Sequence, residues 1–546
     1  MSGFADIVIK SEAVFTSTED KPFAGAVAVT GEKISGVVKG VVPSEWIGEN
    51  TEIIECGNKM VMPGFIDAHV HFFMGSAANS RYMNMEIEKS TSPEDCVRMM
   101  KEYEKANPDL DSLLGWGWFP ANWGDCPLPT KDLLDEAFPD KPVILYCADG
   151  HTTWCNTKGL AICGIDKNTV FDFGEACKGP DGELNGILKE GAAIKALGRM
   201  SAFPIEILKE IFGDVFQALA EVGITSISDL TINKIDDAYL VLVENLRELR
   251  RQGVFKARLN LYTNLNDGDY ETEHEFTESF GDDDVLRHGG IKSLMDGVSS
   301  TFTALMLEPY TDKPDCLGDP ANYPRDFYID AVTKANAAGY GVRIHCIGDR
   351  AVRWALDAYE ASNKANDNPG NIKGYRNAVE HIETIHPDDI PRFKQLGVIA
   401  SMQPMHLPLD AEEKIRRVGP ERDKWEWAHR SILDTGARLC FGTDYPIVNF
   451  DPFANIYAAV ARKYPTTHEP AGINPEQKVT LAETLKAYTI EGAYSYGTDD
   501  KVGTLEEGKY ADIAILDCNL FDLEEEELLD AKVEHTFLGG KEVYCR

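Results

Sequence analysis

Two histidines separated by one residue, His69 and His71, follow an apolar stretch at residues 60–66. Alternate side chains of a β-strand lie on the same face, so both imidazoles can bind one metal ion. Pro63 and Gly64 mark the start of this strand. Because histidines are also common in cores and on surfaces, a metal site requires further ligands from other parts of the chain.

Further candidate residues lie in or at the ends of other apolar stretches. These are His151 at the end of 143–151, Lys292 and Asp296 within 290–297, His345 at the end of 341–345, His381 at the end of 377–381, and Asp444 at the end of 438–444. Any one such histidine is more often structural than a ligand. Their shared placement favours a common metal site.

Long, mostly helical segments separate these stretches, which predicts parallel strands joined by crossover connections. The carboxyl ends of such strands meet at one rim in a (β/α)8 TIM-type barrel, so ligands distant in sequence converge there. We therefore predict an α/β fold with barrel strands near residues 61–70, 143–148, 224–230, 289–295, 341–345, 377–382, 397–402 and 438–443.

The ligand types indicate the chemistry. Imidazole nitrogens and a carboxylate oxygen suit zinc and similar divalent ions, with manganese or iron as alternatives. A bound cation lowers the pKa of water from about 15.7 to about 7, which supplies hydroxide at neutral pH. Asp444 would orient that water and carry its proton to a leaving nitrogen. A second cation, or a donor such as His151, would polarise the substrate carbonyl.

This arrangement resembles the amidohydrolase superfamily of metal-dependent hydrolases over nearly the full chain. The matching features are His-x-His after strand one, a lysine on strand four, histidines on strands five and six, and an aspartate on strand eight. Residues 149–156, 292–297, 345–352 and 442–446 resemble the subgroup that includes N-substituted formamide deformylase. The resemblance implies one or two divalent ions held by His69, His71, Lys292, His345, His381 and Asp444, with His381 and Asp444 as catalytic residues.

Lys292 has two interpretations. A lysine buried near a metal loses its proton more easily and can take up carbon dioxide to become a carbamate. The resemblance implies that this carboxylated lysine bridges two cations, whereas the alternative is a lysine paired with Asp296. Glu190 is the rival bridging carboxylate, or else it caps or lines an insertion.

Four residues are candidates for substrate binding. His151 and Asn156 either contact the substrate or form hydrogen bonds that shape their own loop. Trp116 and Trp118 belong to an aromatic cluster that forms either a pocket wall or the core of an insertion.

The chain of 546 residues exceeds the roughly 250 residues typical of this barrel. We predict a barrel at 62–496 with insertions near 72–140 and 157–222. Short strand-like stretches at both ends of the chain predict a composite β-sandwich from residues 1–61 and 497–546, which the resemblance also implies.

Composition limits the partners. With 90 acidic and 54 basic residues the net charge is −36, which argues against nucleic acid and anionic membrane surfaces. The 12 cysteines form no Cys-x-x-Cys pair, so buried free thiols are expected. The N-terminal residues lack signal-peptide features and no run of 18 apolar residues occurs, which predicts a cytoplasmic protein.

We expect a hydrolase of a carbon-nitrogen bond other than a peptide bond, acting on a small amide or N-acyl amine. The alternatives are a deaminase, a hydrolase of cyclic amides or carbamates, and a non-catalytic scaffold. The lysine on strand four argues against a deaminase, and the complete ligand set argues against a scaffold. The expected partner is a small-molecule substrate, and a homodimer is left open.

Overall fold

The computed structural model describes residues 4–546 except 125–127, 149–151, 172–173, 190, 198–202, 267, 269, 368–370, 373–374 and 466–472. Contacts within the chain divide it into two units. The first unit comprises Met1–Phe72, Phe216–Ile235 and Gly253–Arg546, and the second comprises Phe73–Val215 and Asp236–Gln252. None of the described helices is long and apolar enough to cross a membrane.

The described strands are β1 Ile7–Val14, β2 Phe23–Thr30, β3 Lys33–Lys39, β4 Glu52–Glu55, β5 Met60–Pro63, β6 Phe65–Val70, β7 Leu113–Trp118, β8 Val143–Cys147, β9 Thr152–Cys155, β10 Glu175–Lys178, β11 Leu184–Lys189, β12 Ile224–Asn233, β13 Arg258–Asn264, β14 Leu286–Leu294, β15 Val342–Cys346, β16 Asn371–Ile372, β17 Tyr375–Arg376, β18 Ala378–His381, β19 Ile399–Met402, β20 Leu439–Phe441, β21 Ile513–Leu516, β22 Val533–Leu538 and β23 Lys541–Cys545.

The described α-helices are α1 Phe72–Ala78, α2 Pro93–Ala106, α3 Lys131–Ala137, α4 Thr157–Ile162, α5 Gly191–Leu197, α6 Ile205–Glu221, α7 Asp237–Arg251, α8 Glu271–Glu278, α9 Arg325–Ala338, α10 Asp349–Asn366, α11 Ile390–Leu396, α12 His406–Val418, α13 Pro420–Asp423, α14 His429–Asp434, α15 Pro452–Ala461, α16 Leu481–Ala487 and α17 Ile490–Ser495.

Eight parallel strands form the barrel sheet in the order β20-β19-β18-β15-β14-β13-β12-β6. Helices follow several of these strands, and their apolar residues recur at helical spacing. In α10, for example, Val352, Ala355, Leu356 and Tyr359 are buried. Every residue of β6, β18, β19 and β20 is buried, as expected for parallel strands covered on each side. The predicted TIM-type barrel is confirmed.

One predicted barrel strand was wrong. Residues 143–148 were assigned to the barrel, but β8 lies in a separate five-stranded sheet with the order β10-β11-β9-β8-β7. The missing barrel strand is β13, where Arg258 and Asn260 interrupt the apolar pattern. Both polar side chains are buried with partners, and the Asn260 amide donates to the Ile227 carbonyl at 3.0 Å. An uninterrupted apolar stretch shows burial, but it does not identify the sheet.

The first and last barrel strands meet at their carboxyl ends. The Asp444 N–H donates to the His69 carbonyl and the His71 N–H donates to the Tyr445 carbonyl, each at 2.7 Å. Gly442 packs against β6 so closely that a Cβ at this position would lie 2.5 Å from the His69 nitrogen. Glycine is therefore required here for close approach of the two backbones.

A second eight-stranded sheet joins both ends of the chain in the order β23-β22-β21-β5-β1-β2-β3, with β4 also paired to β1. Its central contact is antiparallel pairing of β21 with β5, which connects the C-terminal strands to the N-terminal ones. Apolar clusters cover both faces, one containing Ile9, Val27 and Ile513 and the other containing Val8 and Ala26. This is the composite sheet domain expected from the sequence.

The second unit contains the five-stranded sheet. Its core includes Leu114, Ile144, Tyr146 and Leu188. Helix α2 in this unit begins with an N-cap, because the Ser92 side chain accepts from the Asp95 N–H at 3.0 Å.

The Arg258–Asp512 ion pair connects the barrel to the composite sheet, and a substitution that removes it tests how much this connection stabilises the protein. Arg258 donates to both Asp512 oxygens, at 2.6 and 2.9 Å, and both residues are buried. Asp512→Asn leaves the guanidinium without its counter-charge, so we expect a loss of about 3–5 kcal/mol in unfolding free energy. The midpoint of thermal unfolding measures this loss.

The matched control is Glu19→Gln, which breaks the Lys39–Glu19 pair, where the side chains are 60% and 47% exposed. This change should cost no more than about 1 kcal/mol. Equal shifts in the two variants would mean that the buried pair does not stabilise the junction.

Candidate metal centre

His69, His71 and Asp444 lie together where β6 meets the end of β20. Asp444 Oδ1 is 3.2 Å from His69 Nε2 and 3.0 Å from His71 Nε2. His69 and Asp444 are buried, and the His71 side chain is 24% exposed. Burial favours the protonated acid, but the two imidazoles outweigh it and hold the pKa of Asp444 well below its usual range. The three side chains thus present a carboxylate and two imidazoles to one point.

Asp67 aligns the two strand ends that carry these residues. Its Oδ1 accepts the backbone N–H groups of His69 and Thr443 at 3.1 and 3.0 Å, and its Oδ2 accepts the Thr443 hydroxyl at 2.6 Å. Burial raises the pKa of Asp67 to about 7. Asp444 itself has a φ of 62°, a left-handed conformation that costs energy for a residue with a side chain. The local hydrogen bonds offset that strain.

A buried ion pair orients His69 from behind. His69 Nδ1 lies 2.7 Å from Glu380 Oε2, and the other oxygen of Glu380 lies 2.5 Å from Arg343 Nε. Burial disfavours the Glu380 anion, but Arg343 and then His69 outweigh it, so the pKa of Glu380 lies well below its usual range. A carboxylate that accepts from Nδ1–H leaves the lone pair of Nε2 directed to the site, as in many metal-binding histidines.

His381 and His406 approach the other oxygen of Asp444. Their respective distances to Asp444 Oδ2 are 4.0 Å from His381 Nδ1 and 3.6 Å from His406 Nε2. The two rings are nearly parallel, with centroids 5.9 Å apart. His381, predicted as a ligand, therefore lies at the site together with His406, which the sequence did not reveal.

His345 lies beside His381, with ring centroids 4.4 Å apart. Its Nε2 is 3.4 Å from the Gly297 carbonyl oxygen and 3.8 Å from Asp296 Oδ1. Burial and then Lys292 lower the pKa of His345 to about 3, so the imidazole is neutral and able to coordinate. Within the described residues, the groups of converging donors at the barrel contain His69, His71, Asp444, His381 and His406 but not His345.

Lys292 is 1% exposed, and its Nζ has no hydrogen-bond partner among the described residues. Burial is the main reason that its pKa falls to about 8. The alternative of a Lys292–Asp296 pair is not supported, because Lys292 Nζ has no partner among the described residues and the Asp296 carboxylate accepts the backbone N–H groups of Leu305, Ile347 and Gly348.

Several buried polar atoms of this site lack a hydrogen-bond partner, and they indicate whether a cation fits here. Within the described part of the chain, His69 Nε2, His381 Nδ1, His406 Nε2 and Asp444 Oδ1 are buried without a hydrogen-bond partner. Leaving such atoms unsatisfied is costly, and a cation bound to their lone pairs would remove that cost. Imidazole and carboxylate donors are the set that zinc and related ions prefer. The residues present therefore fit a divalent cation.

Two of the predicted substrate residues, Asn156 and Trp118, have other roles in the structure. Asn156 is fully buried and makes four local hydrogen bonds, to Val143, Gly159, Phe138 and Lys141, which leaves no polar group free for a substrate. This corrects the substrate assignment in favour of the loop-shaping alternative. His151 and Glu190 lie outside the described residues.

The two predicted tryptophans belong to the core of the second unit. Trp118 is fully buried, donates to the Leu145 carbonyl at 2.9 Å and stacks on Trp123 at 5.1 Å. Trp116 is partly buried and packs on Tyr146 at 5.6 Å. Trp118 therefore belongs to the core and does not form a pocket wall.

Several site residues were missed, and some left a signal in the sequence. Arg343 and Glu380 are opposite charges in two successive apolar stretches, each close to a predicted histidine ligand. Buried charges are rare unless they are paired, so this pattern predicts contact. Asp67 likewise interrupts an apolar stretch. His406 begins helix α12 and ends no strand, so the strand-end pattern gave no indication of it.

Comparison with known proteins identifies relatives of the whole chain. A family model described as "Amidohydrolase family" matches residues 52–544. The chain is 29% identical to the protein LONG AFTER FAR-RED 3 of Arabidopsis thaliana, over 99% of this chain and 92% of that protein. It is 24% identical to N-substituted formamide deformylase of Arthrobacter pascens, over 99% of this chain and 98% of that enzyme.

A solved structure is similar to this chain in fold. An uncharacterized metal-dependent hydrolase from Pyrococcus furiosus superposes with a TM-score of 0.71 and 25% identity, covering 95% of this chain and 99% of that one.

Proposed function

Because this chain belongs to the amidohydrolase family, we propose that it is a metal-dependent hydrolase of a non-peptide carbon-nitrogen bond in a small amide or N-acyl amine. The observation that carries the proposal is the convergence of His69, His71 and Asp444. The likeness to N-substituted formamide deformylase over nearly the whole chain supports the bond type.

In this proposal, His69 Nε2, His71 Nε2 and Asp444 Oδ1 hold a divalent cation, with zinc favoured by the donor set and manganese or iron as alternatives. When bound, the cation makes water a nucleophile at neutral pH and polarises a carbonyl oxygen. Glu380 keeps His69 in the tautomer whose Nε2 can coordinate.

Asp444 moves the proton. Its low pKa keeps it an anion at neutral pH, so it can accept a proton from the attacking water and deliver it to the leaving nitrogen as the carbon-nitrogen bond breaks. The added oxygen stays on the acyl carbon, and the amine leaves neutral. His381 faces the Oδ2 atom of this carboxylate, at 4.0 Å from Nδ1, and is the second residue assigned to catalysis.

Lys292 is proposed to carry a carbamate. Its neutral amine would form a nitrogen-carbon bond to carbon dioxide and release one proton. Burial and the lack of a hydrogen-bond partner within the described residues support this, because a charged ammonium is unfavourable there. With its pKa lowered to about 8, the reactive neutral form increases as pH rises through that value. Carbamate formation should therefore be favoured at mildly alkaline pH.

A substrate panel tests the proposed function. We expect zinc-loaded or manganese-loaded protein to release amine from at least one member of a panel of formamides and other N-acyl amines. Cyclic amides, carbamates and aminated heterocycles complete the panel. Turnover restricted to ammonia release from a heterocycle would favour a deaminase, and metal-loaded protein inactive on every class would contradict the proposal.

The role of Asp444 is tested by comparing Asp444→Asn with the wild type on the substrate that the panel identifies. It should fold and yet lose more than the roughly 10²- to 10⁴-fold attributable to general acid-base catalysis, because water orientation is lost with proton transfer. Wild-type kcat/KM should fall below about neutral pH as the coupled site takes up a proton. His386→Asn, at a half-exposed histidine elsewhere, should behave as wild type. If Asp444→Asn keeps near wild-type turnover and an unchanged pH profile, Asp444 is not the proton carrier.

A further prediction concerns Lys292→Ala, which removes the amine that would become a carbamate. We expect fewer bound zinc ions and lower activity, with partial recovery when acetate or propionate replaces the missing carboxylate. Elemental analysis and turnover measure both effects. Lys21→Ala, at an exposed lysine, is the control and should not respond to the acids. Full metal content in Lys292→Ala would remove this lysine from the site and favour another bridging carboxylate.

A further inference from the structure

We infer that His406 is a metal ligand that, with His381 and Asp444, forms a second cation position in the barrel. The inference rests on the proposed metal-dependent function and deepens it. It adds His406 to the ligand set expected from the sequence, in which His345 and Lys292 accompany His381.

The first support is the geometry around Asp444 Oδ2. His406 Nε2 lies 3.6 Å and His381 Nδ1 lies 4.0 Å from this oxygen, and the three residues offer ligand atoms that lie within 4.8 Å of one another. Donors bound to one tetrahedral zinc ion at about 2.0–2.1 Å are about 3.4 Å apart. The separation of His406 Nε2 from Asp444 Oδ2 is therefore close to that of a formed site, and the separation of His381 Nδ1 from the same oxygen is about 0.6 Å longer.

The second support is that the imidazole atoms aimed at this point are unsatisfied. His406 is 7% exposed and His381 is 2% exposed. Neither His406 Nε2 nor His381 Nδ1 has a hydrogen-bond partner in the part of the chain that the structure describes. A buried nitrogen without a partner is destabilising unless it binds something. A cation would satisfy both lone pairs at once.

The third support is the group behind the His406 ring. His406 Nδ1 faces Glu383 Oε1 at 3.5 Å, and Glu383 Oε2 is 2.5 Å from Lys414 Nζ. Lys414 is fully buried and also lies 3.4 Å from Glu426. A carboxylate behind an imidazole fixes the tautomer and orientation of a metal-binding histidine. Lys414 holds that carboxylate as an anion at this depth.

Asp444 would then bridge two cations through its two oxygens. Oδ1 faces His69 and His71, whereas Oδ2 faces His381 and His406. This division uses one lone pair on each oxygen and leaves a second lone pair on each for the proton transfer proposed above. It also gives the seventh barrel strand a role in the site, because α12 begins with His406 shortly after β19.

Zinc titration of the full-length chain tests the inference. Metal is removed with a chelator, zinc is added back, and bound zinc is counted by elemental analysis, while the absorption spectrum is recorded with cobalt in place of zinc. We expect two ions in the wild type. His406→Ala should retain one ion and lose affinity for the second by at least about 100-fold, with a changed cobalt spectrum.

Glu383→Gln tests the support behind the ring. It should weaken the second ion by about 10- to 100-fold, the usual effect of losing the partner of a metal-binding histidine. His406→Gln gives the same test if the alanine variant does not fold, as judged by circular dichroism. His386→Asn is the control and should bind zinc as the wild type does.

His71→Ala separates this inference from the proposed function, because it changes only the first position. If the wild type binds no zinc in the barrel, the proposed function fails. If His71→Ala loses an ion while His406→Ala and His406→Gln keep wild-type stoichiometry, affinity and spectrum, the proposed function stands and the role of His406 is overturned. A wild type that binds one ion, lost in His71→Ala and unchanged in His406→Ala, would overturn it equally.

Discussion

The junction between β6 and β20 is the constraint on which the rest of the site depends. Asp67 and Thr443 are 376 positions apart in sequence, yet their side chains share a 2.6 Å hydrogen bond at this junction. Backbone bonds on either side fix His69, His71 and Asp444 relative to one another. A metal site requires donor positions accurate to a fraction of an ångström, and the hydrogen bonds between these two strand ends help to fix those positions.

On each side of Asp444, a buried basic side chain contacts a carboxylate, and that carboxylate faces a histidine of the site. Arg343 holds Glu380, which orients His69 toward Asp444. Lys414 holds Glu383, which faces His406 on the other side of the same carboxylate. Each buried basic side chain therefore stabilises a carboxylate anion, and each carboxylate orients an imidazole toward Asp444. Removing any internal member would leave a neighbouring charge unpaired in a region of low polarity.

The site residues that could be predicted from the sequence are those that lie at the ends of barrel strands. His69, His71, His381 and Asp444 could be predicted because a parallel barrel brings strand ends to one rim. The strand β13 was missed because Arg258 and Asn260 interrupt its apolar pattern, and their buried partners are distant in sequence. His406 was missed because it starts a helix. Asn156 was misassigned because a sequence does not show that all four of its hydrogen bonds are local.

The most direct test of a barrel metal centre is the anomalous diffraction of crystals grown with zinc. We expect a peak within about 2.0–2.2 Å of His69 Nε2, His71 Nε2 and Asp444 Oδ1. A competing donor group, His535, Glu542 and Cys545, lies on the partly exposed strands β22 and β23. Zinc found only at that group, with none at Asp444, would contradict the central claim.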